Sequence, residues 1–88
     1  MRFVLLAALV LVPAACTRAE MSAAMEDPNG FACRQRAVAS LEVPFERTAA
    51  VLIATDALGV ETYAVRAADR TFRCTVDAEG FLTGFAPD

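Results

Sequence analysis

Histidine, lysine and tryptophan are absent from the 88-residue chain. Without His or Lys, the commonest general bases, the Schiff-base amine and the imidazole metal ligand are all missing. Serine occurs only at Ser22 and Ser40, and the four glycines form no glycine-rich phosphate loop. Positive charge is scarce as well: eight arginines stand against eleven acidic residues, for a net charge of −3. A nucleic-acid binder carries a basic face and a pI above about 9, so no nucleic-acid partner is expected. The carboxylates Asp77 and Glu79 fall in a turn whose composition already accounts for them, and no stretch supplies the oxygen ligands of a calcium loop. These absences point to a non-enzymatic protein with no catalytic residue, no metal and no cofactor.

What is present begins with an export signal. Arg2 precedes an apolar run from Phe3 to Val12, and Pro13-Ala14-Ala15-Cys16 supplies a small-residue processing region. A run this short does not span a bilayer as a helix, which takes roughly 20 residues. The run also inflates the 57% hydrophobic content of the chain. The expected organisation is a signal peptide at 1–15, a tether at 16–29 and a small domain at 30–88. A domain of that length buries only about 60% of its unfolded surface and often needs a covalent staple.

Three cysteines make an odd count in an exported chain. The simplest resolution gives Cys16 to the processing site and pairs Cys33 with Cys74. The two are not in a CxxC arrangement, and two thiolates alone make no zinc site. Closing that loop is worth about 4 kcal/mol in the chain-entropy model.

Ala14-Ala15-Cys16 after the apolar run resembles a bacterial lipobox, whose cysteine becomes the lipidated N-terminus of the mature protein. The pattern departs at one position, where Pro13 stands in place of an aliphatic residue. The resemblance implies lipidation at Cys16 and a membrane partner through the lipid anchor. Thr17 rather than Asp after the cysteine implies the outer membrane, facing the periplasm. Two other cuts fit ordinary signal peptidase: after Ala19 with Thr17 at −3, or after Ala24 with Ser22 there. Either would release a soluble periplasmic or secreted protein. Both leave Cys33 and Cys74 in place.

Taken in order, residues 17–26 show no strong period and read as the tether. Asp27-Pro28-Asn29-Gly30 is a turn and cap cluster. A helix follows from about Gly30 to Glu42, with Cys33, Ala37 and Leu41 on one stripe beside Val38, and Pro44 ends it. Ala49 to Ala54 reads as a strand that is apolar on both sides. Val60 to Ala67 and Arg70 to Val76 form a hairpin across Ala68-Asp69. A two-residue loop there pairs Val65 with Phe72 and Tyr63 with Cys74, although Ala-Asp is not favoured hairpin chemistry. Tyr63, Val65, Phe72, Cys74 and Val76 then share one face, and Thr62, Ala64, Arg66, Thr71, Arg73 and Thr75 the other. A last strand runs from Phe81 to Phe85. The expected fold class is α+β, one N-terminal helix packed on a four-stranded antiparallel meander and stapled by one disulfide.

The cysteine-bearing helix with Ala37-Val38, the strand Phe72-Arg73-Cys74, and Gly80 before a last strand resemble small uncharacterised bacterial exported proteins. The helix-then-meander order over residues 31–85 is also similar to PepSY-type modules, which implies an inhibitory or protein-binding role at the envelope. The expected function is a structural or protein-interaction module of the cell envelope. A small inhibitor of an envelope or secreted hydrolase is the alternative, and it would need a protruding loop. The candidate partner surface is Val51, Leu52 and Ile53 with Arg66 and Arg73, and Arg70 extends the positive patch. Two accounts of the apolar strand stay open: a partner protein or second copy covers it, or the tether or C-terminal tail folds over it.

Overall fold

The computed structural model describes residues 18–88. The segment 1–15 read as a signal peptide, and Cys16, lie outside them. Two helices, α1 (Arg18–Glu26) and α2 (Pro28–Leu41), are followed by a 3-10 turn at Phe45–Arg47. Four strands complete the chain: β1 (Thr48–Thr55), β2 (Glu61–Ala67), β3 (Arg70–Val76) and β4 (Leu82–Pro87). They form one antiparallel sheet in the order β1-β2-β3-β4, with the helical layer on one face.

The segment expected as a tether carries a second helix. Its residues are mostly good helix formers (Ala, Met, Glu, Arg), so helix forms there without an apolar stripe to announce it. Asp27 joins the two helices. Its backbone N–H donates to Ala23 O at 3.0 Å, and its side chain accepts from Gly30 N at 3.2 Å as the N-cap of α2. Pro28 occupies the first turn of α2, where its missing N–H costs nothing. The helix therefore starts two residues before Gly30 and ends at Leu41. Glu42 closes it with left-handed backbone (φ 57°) and an N–H bond to Val38 O at 2.9 Å.

The central hairpin has the register the alternation demands, with Tyr63 opposite Cys74 and Val65 opposite Phe72. Its loop is the two residues Ala68-Asp69, with Ala68 at φ 57°. The unfavoured residue is held there by tertiary contact, because Ala68 N–H donates to Arg47 O at 2.8 Å. The other two strand connections use one device twice. In Asp56-Ala-Leu-Gly-Val and Asp77-Ala-Glu-Gly-Phe, the aspartate side chain accepts from the N–H groups two and four residues on, at 2.8–3.0 Å. The glycine of each takes positive φ, 85° at Gly59 and 91° at Gly80.

The core lies between α2 and the sheet: Cys33, Ala37, Tyr63, Val65, Ala67, Phe72, Cys74 and Val76 are buried together, flanked by Leu41, Val43, Ala50, Leu82 and Phe85. The Cys33–Cys74 disulfide crosses from α2 to β3 with Cα atoms 6.1 Å apart. Phe85 stacks on Phe72 at 5.1 Å between ring centroids, which seats β4 on the same core.

Replacing both cysteines by alanine is expected to lower unfolding free energy by about 4 kcal/mol in urea denaturation. Ala68→Gly is expected to raise it by about 0.5–1 kcal/mol, because glycine takes left-handed backbone without the Cβ clash.

Candidate functional site

Apart from Cys16, which lies outside the described residues, the sequence-derived candidates have definite places in the structure. Cys33 and Cys74 are fully buried and bonded to each other, which makes them structural. Val51, Leu52 and Ile53 stand at the β1 edge of the sheet, 60%, 46% and 50% exposed. Neither flanking segment covers them: α1 packs on α2, and the C-terminal residues form β4 at the opposite edge. Of the two accounts left open for this strand, the described residues do not place the tether or the tail over it.

The missing alternation in β1 has two causes. From Thr48 to Leu52 the strand pairs regularly with Ala67 to Tyr63, so Ala50 and Leu52 share the core face and Ala49 and Val51 the open face. A bulge between Leu52 and Ala54 then inserts Ile53 as an unpaired extra residue. Leu52, although opposite Tyr63, stays nearly half exposed. One strand thus shows apolar surface on both faces and along its edge.

The open face of the sheet is built from small residues. Arg66 lies beside Ala49, Val51, Ala64 and Thr71 around a shallow depression of about 220 Å³. Arg73 shares this face, but its guanidinium bonds Asp88 at 3.0 Å in an exposed ion pair, which screening renders weak. Arg70 departs from the expected patch. In the alternation of β3 it falls with Phe72, and its guanidinium lies 5.0 Å over that ring. The positive patch therefore reduces to Arg66 and an ion-paired Arg73.

The two edges of the sheet differ. β4 contains Gly84 and Pro87, carries a bulge opposite Thr75/Val76, and is tied by Asp88 N–H to Thr71 O at 3.1 Å. Gly84 lets the strands approach closely there, since a Cβ would sit 2.7 Å from Thr75 Oγ1 and one of the two would have to shift. Proline, bulge and a terminal charge are common ways of blunting a sheet edge. β1 reads TAAVLIAT, with no charge and no proline, and its only irregularity lies past Leu52.

A polar cluster on the helical side was not legible in the sequence. The Tyr63 hydroxyl lies 2.9 Å from Asp27 Oδ1 and 3.1 Å from Glu61 Oε1, and Asn29 Nδ2 donates to Glu61 at 2.8 Å. Burial raises the Tyr63 phenol above its ordinary range, and the two carboxylates raise it further. Gly30 fits against this cluster because a Cβ would come 2.5 Å from Asp27 Oδ2. Asp27 and Asn29 carried only a capping signal, and Glu61 two residues before Tyr63 was the one hint of a shared face. The arrangement anchors the start of α2 to β2, and nothing in it activates a nucleophile.

Arg34 supplies the other anchor. Its guanidinium lies 3.8 Å over the Phe45 ring and donates to Thr48 Oγ1 at 2.9 Å and Phe45 O at 3.2 Å. Burial lowers its pKa and Glu20 opposes that shift. This explains how an arginine sits close to the apolar stripe of α2: it bonds the 3-10 turn to the helix. Among the described residues no three His, Cys, Asp or Glu side chains are grouped to hold a metal ion.

No family model, curated protein or solved structure matches the chain.

Tyr63→Phe leaves Asp27 and Glu61 without their shared donor and is expected to cost about 1–3 kcal/mol. A raised phenol pKa contributes stability that is whole below pH 10 and is lost as pH rises beyond it. Urea midpoints measured from pH 8 to pH 11 should fall for the native chain and fall less for Tyr63→Phe.

Proposed function

We propose that the chain is a non-enzymatic cell-envelope lipoprotein, anchored through Cys16, that binds a partner protein by strand addition along β1. The observation that carries this reading is the contrast between the edges. An edge strand leaves the N–H and C=O groups of about every second residue unpaired on its outer side, and proteins ordinarily guard such an edge. β4 is interrupted by glycine, proline and a bulge, whereas β1 runs regular and uncharged from Thr48 to Leu52 before its own bulge at Ile53. Strand addition draws affinity from those backbone groups and specificity from alternate side chains. Ala49 and Val51 would contribute on the open face and Leu52 on the other, beside the small-residue floor formed with Ala64 and the single unpaired cation of the patch, Arg66.

Export supports the same assignment. A buried disulfide is the mark of an oxidising compartment, and the lipobox-like Pro13-Ala14-Ala15-Cys16 follows an apolar run. The loops offer less support for a hydrolase inhibitor. Among the described residues the strand connections run from two to five residues, and the two five-residue ones are closed by their own hydrogen bonds, so none protrudes far enough to fill an enzyme cleft.

Two measurements test this. Mass spectrometry of the mature protein is expected to find an acylated Cys16 at the N-terminus; a chain beginning at Glu20 or Met25 would remove the anchor. A photo-reactive residue at Val51 is expected to give one defined protein adduct in intact cells. The same residue at Thr83, on the guarded edge, should give none, and Ile53→Lys should weaken the Val51 adduct at least several-fold. Equal labelling from both edges would sink the strand-addition reading.

A further inference from the structure

Helix α1 is built the wrong way round for a helix whose only task is to pack. Ala23 and Glu26 border the cleft shared with Phe31 and Arg34 of α2 and with Ala50, and Glu20 acts on the Arg34 guanidinium. The side turned to the protein therefore consists of small and acidic residues. At 3.6 residues per turn, Arg18, Met21, Ser22 and Met25 fall together on the other side, and they border one shallow surface depression. Met21 is 57% exposed and Met25 82%. The largest apolar side chains of α1 point to solvent, accompanied by a cation, while both carboxylates lie off that face.

The position of the helix in the chain says what this face meets. Arg18 follows Cys16 by two residues, and two residues of extended chain reach at most about 7 Å. A lipid on Cys16 would place the start of α1 within the headgroup layer, which accepts thioether side chains below and pairs arginine with phosphate.

We propose that the Arg18–Met21–Met25 face of α1 lies on the bilayer, with the methionines among the upper acyl chains and Arg18 against lipid phosphate. The inference rests on the lipid-anchor reading. Because the anchor already holds the helix at the surface, the face needs little affinity of its own: the contact is intramolecular in effect and is governed by a high local concentration. The helix thereby adds an oriented contact to the lipid anchor and fixes which side of the domain faces away from the membrane.

The chain contains no tryptophan, so single reporters are clean. Met25→Trp and, as a control, Leu58→Trp in the exposed β1–β2 turn would be purified as the membrane-extracted full protein. Each would be reconstituted into phosphatidylethanolamine–phosphatidylglycerol vesicles carrying brominated acyl chains. The Met25→Trp emission is expected to shift to the blue and to be quenched at least threefold more than that of Leu58→Trp. Adding Arg18→Glu should reduce the quenching. The intact mass of the same sample separates the two readings. An acylated Cys16 with equal quenching at both sites overturns the membrane contact and leaves the anchor standing. A mature chain lacking Cys16 overturns the anchor and this inference with it. A Met25→Trp reporter shielded from aqueous acrylamide yet not quenched by bromine is covered by protein, which also overturns the proposal.

Discussion

The Cys33–Cys74 bond is the constraint on which the other contacts depend, because it joins the two layers at the centre of a core too small to hold them unaided. Cys33 lies on the α2 stripe one turn before Ala37, and Cys74 lies between Phe72 and Val76 on the buried face of β3. With a sequence separation of 41, the bond closes a loop that includes the end of α2, the 3-10 turn, β1, β2 and most of β3. The unfolded chain loses the freedom of that whole loop, which matters most where burial alone yields only a few kcal/mol. β4 lies outside it and is held by Phe85 on Phe72 and by its ladder with β3.

Two polar anchors orient α2 around that staple. At its start, Asp27 caps the helix while accepting from Tyr63, and Asn29 bonds Glu61, so the first turn is fixed to β2. Farther along, Arg34 bonds and stacks on the 3-10 turn that leads into β1. Buried polar groups with partners define an arrangement more sharply than apolar packing does. Here they set where the helix lies on the sheet, and the disulfide prevents the two layers from separating.

On the proposed reading, function lies at the periphery of this centre. The domain has a guarded edge and an unguarded one, and a helix whose methionines face outward. Both features expose apolar surface that folding of the described residues does not bury. Tyr63 and the Cys33–Cys74 pair are committed to structure. On the proposed reading, backbone groups along β1 and side chains on α1 would supply two distinct surfaces, one suited to an extended protein segment and one to lipid.

Much of the fold was legible because period-two alternation and cysteine parity are local signals. Tyr63, Val65, Phe72, Cys74 and Val76 could be placed on one face and in one register by counting, and the two aspartate–glycine turns announce themselves by composition. The helix α1 was not legible, since its packing surface is alanine and its apolar residues face away, so no stripe marks it. Nor was the site. That Arg70 belongs over Phe72, that Arg73 is tied to Asp88, and that Asp27 meets Glu61 around one hydroxyl are contacts between positions distant in sequence. The residues by themselves determined the staple and the meander, because each follows from residue type and spacing. Only the tertiary structure decided which strand became the open edge and which face of α1 was left uncovered, because both depend on where the chain's other segments come to rest.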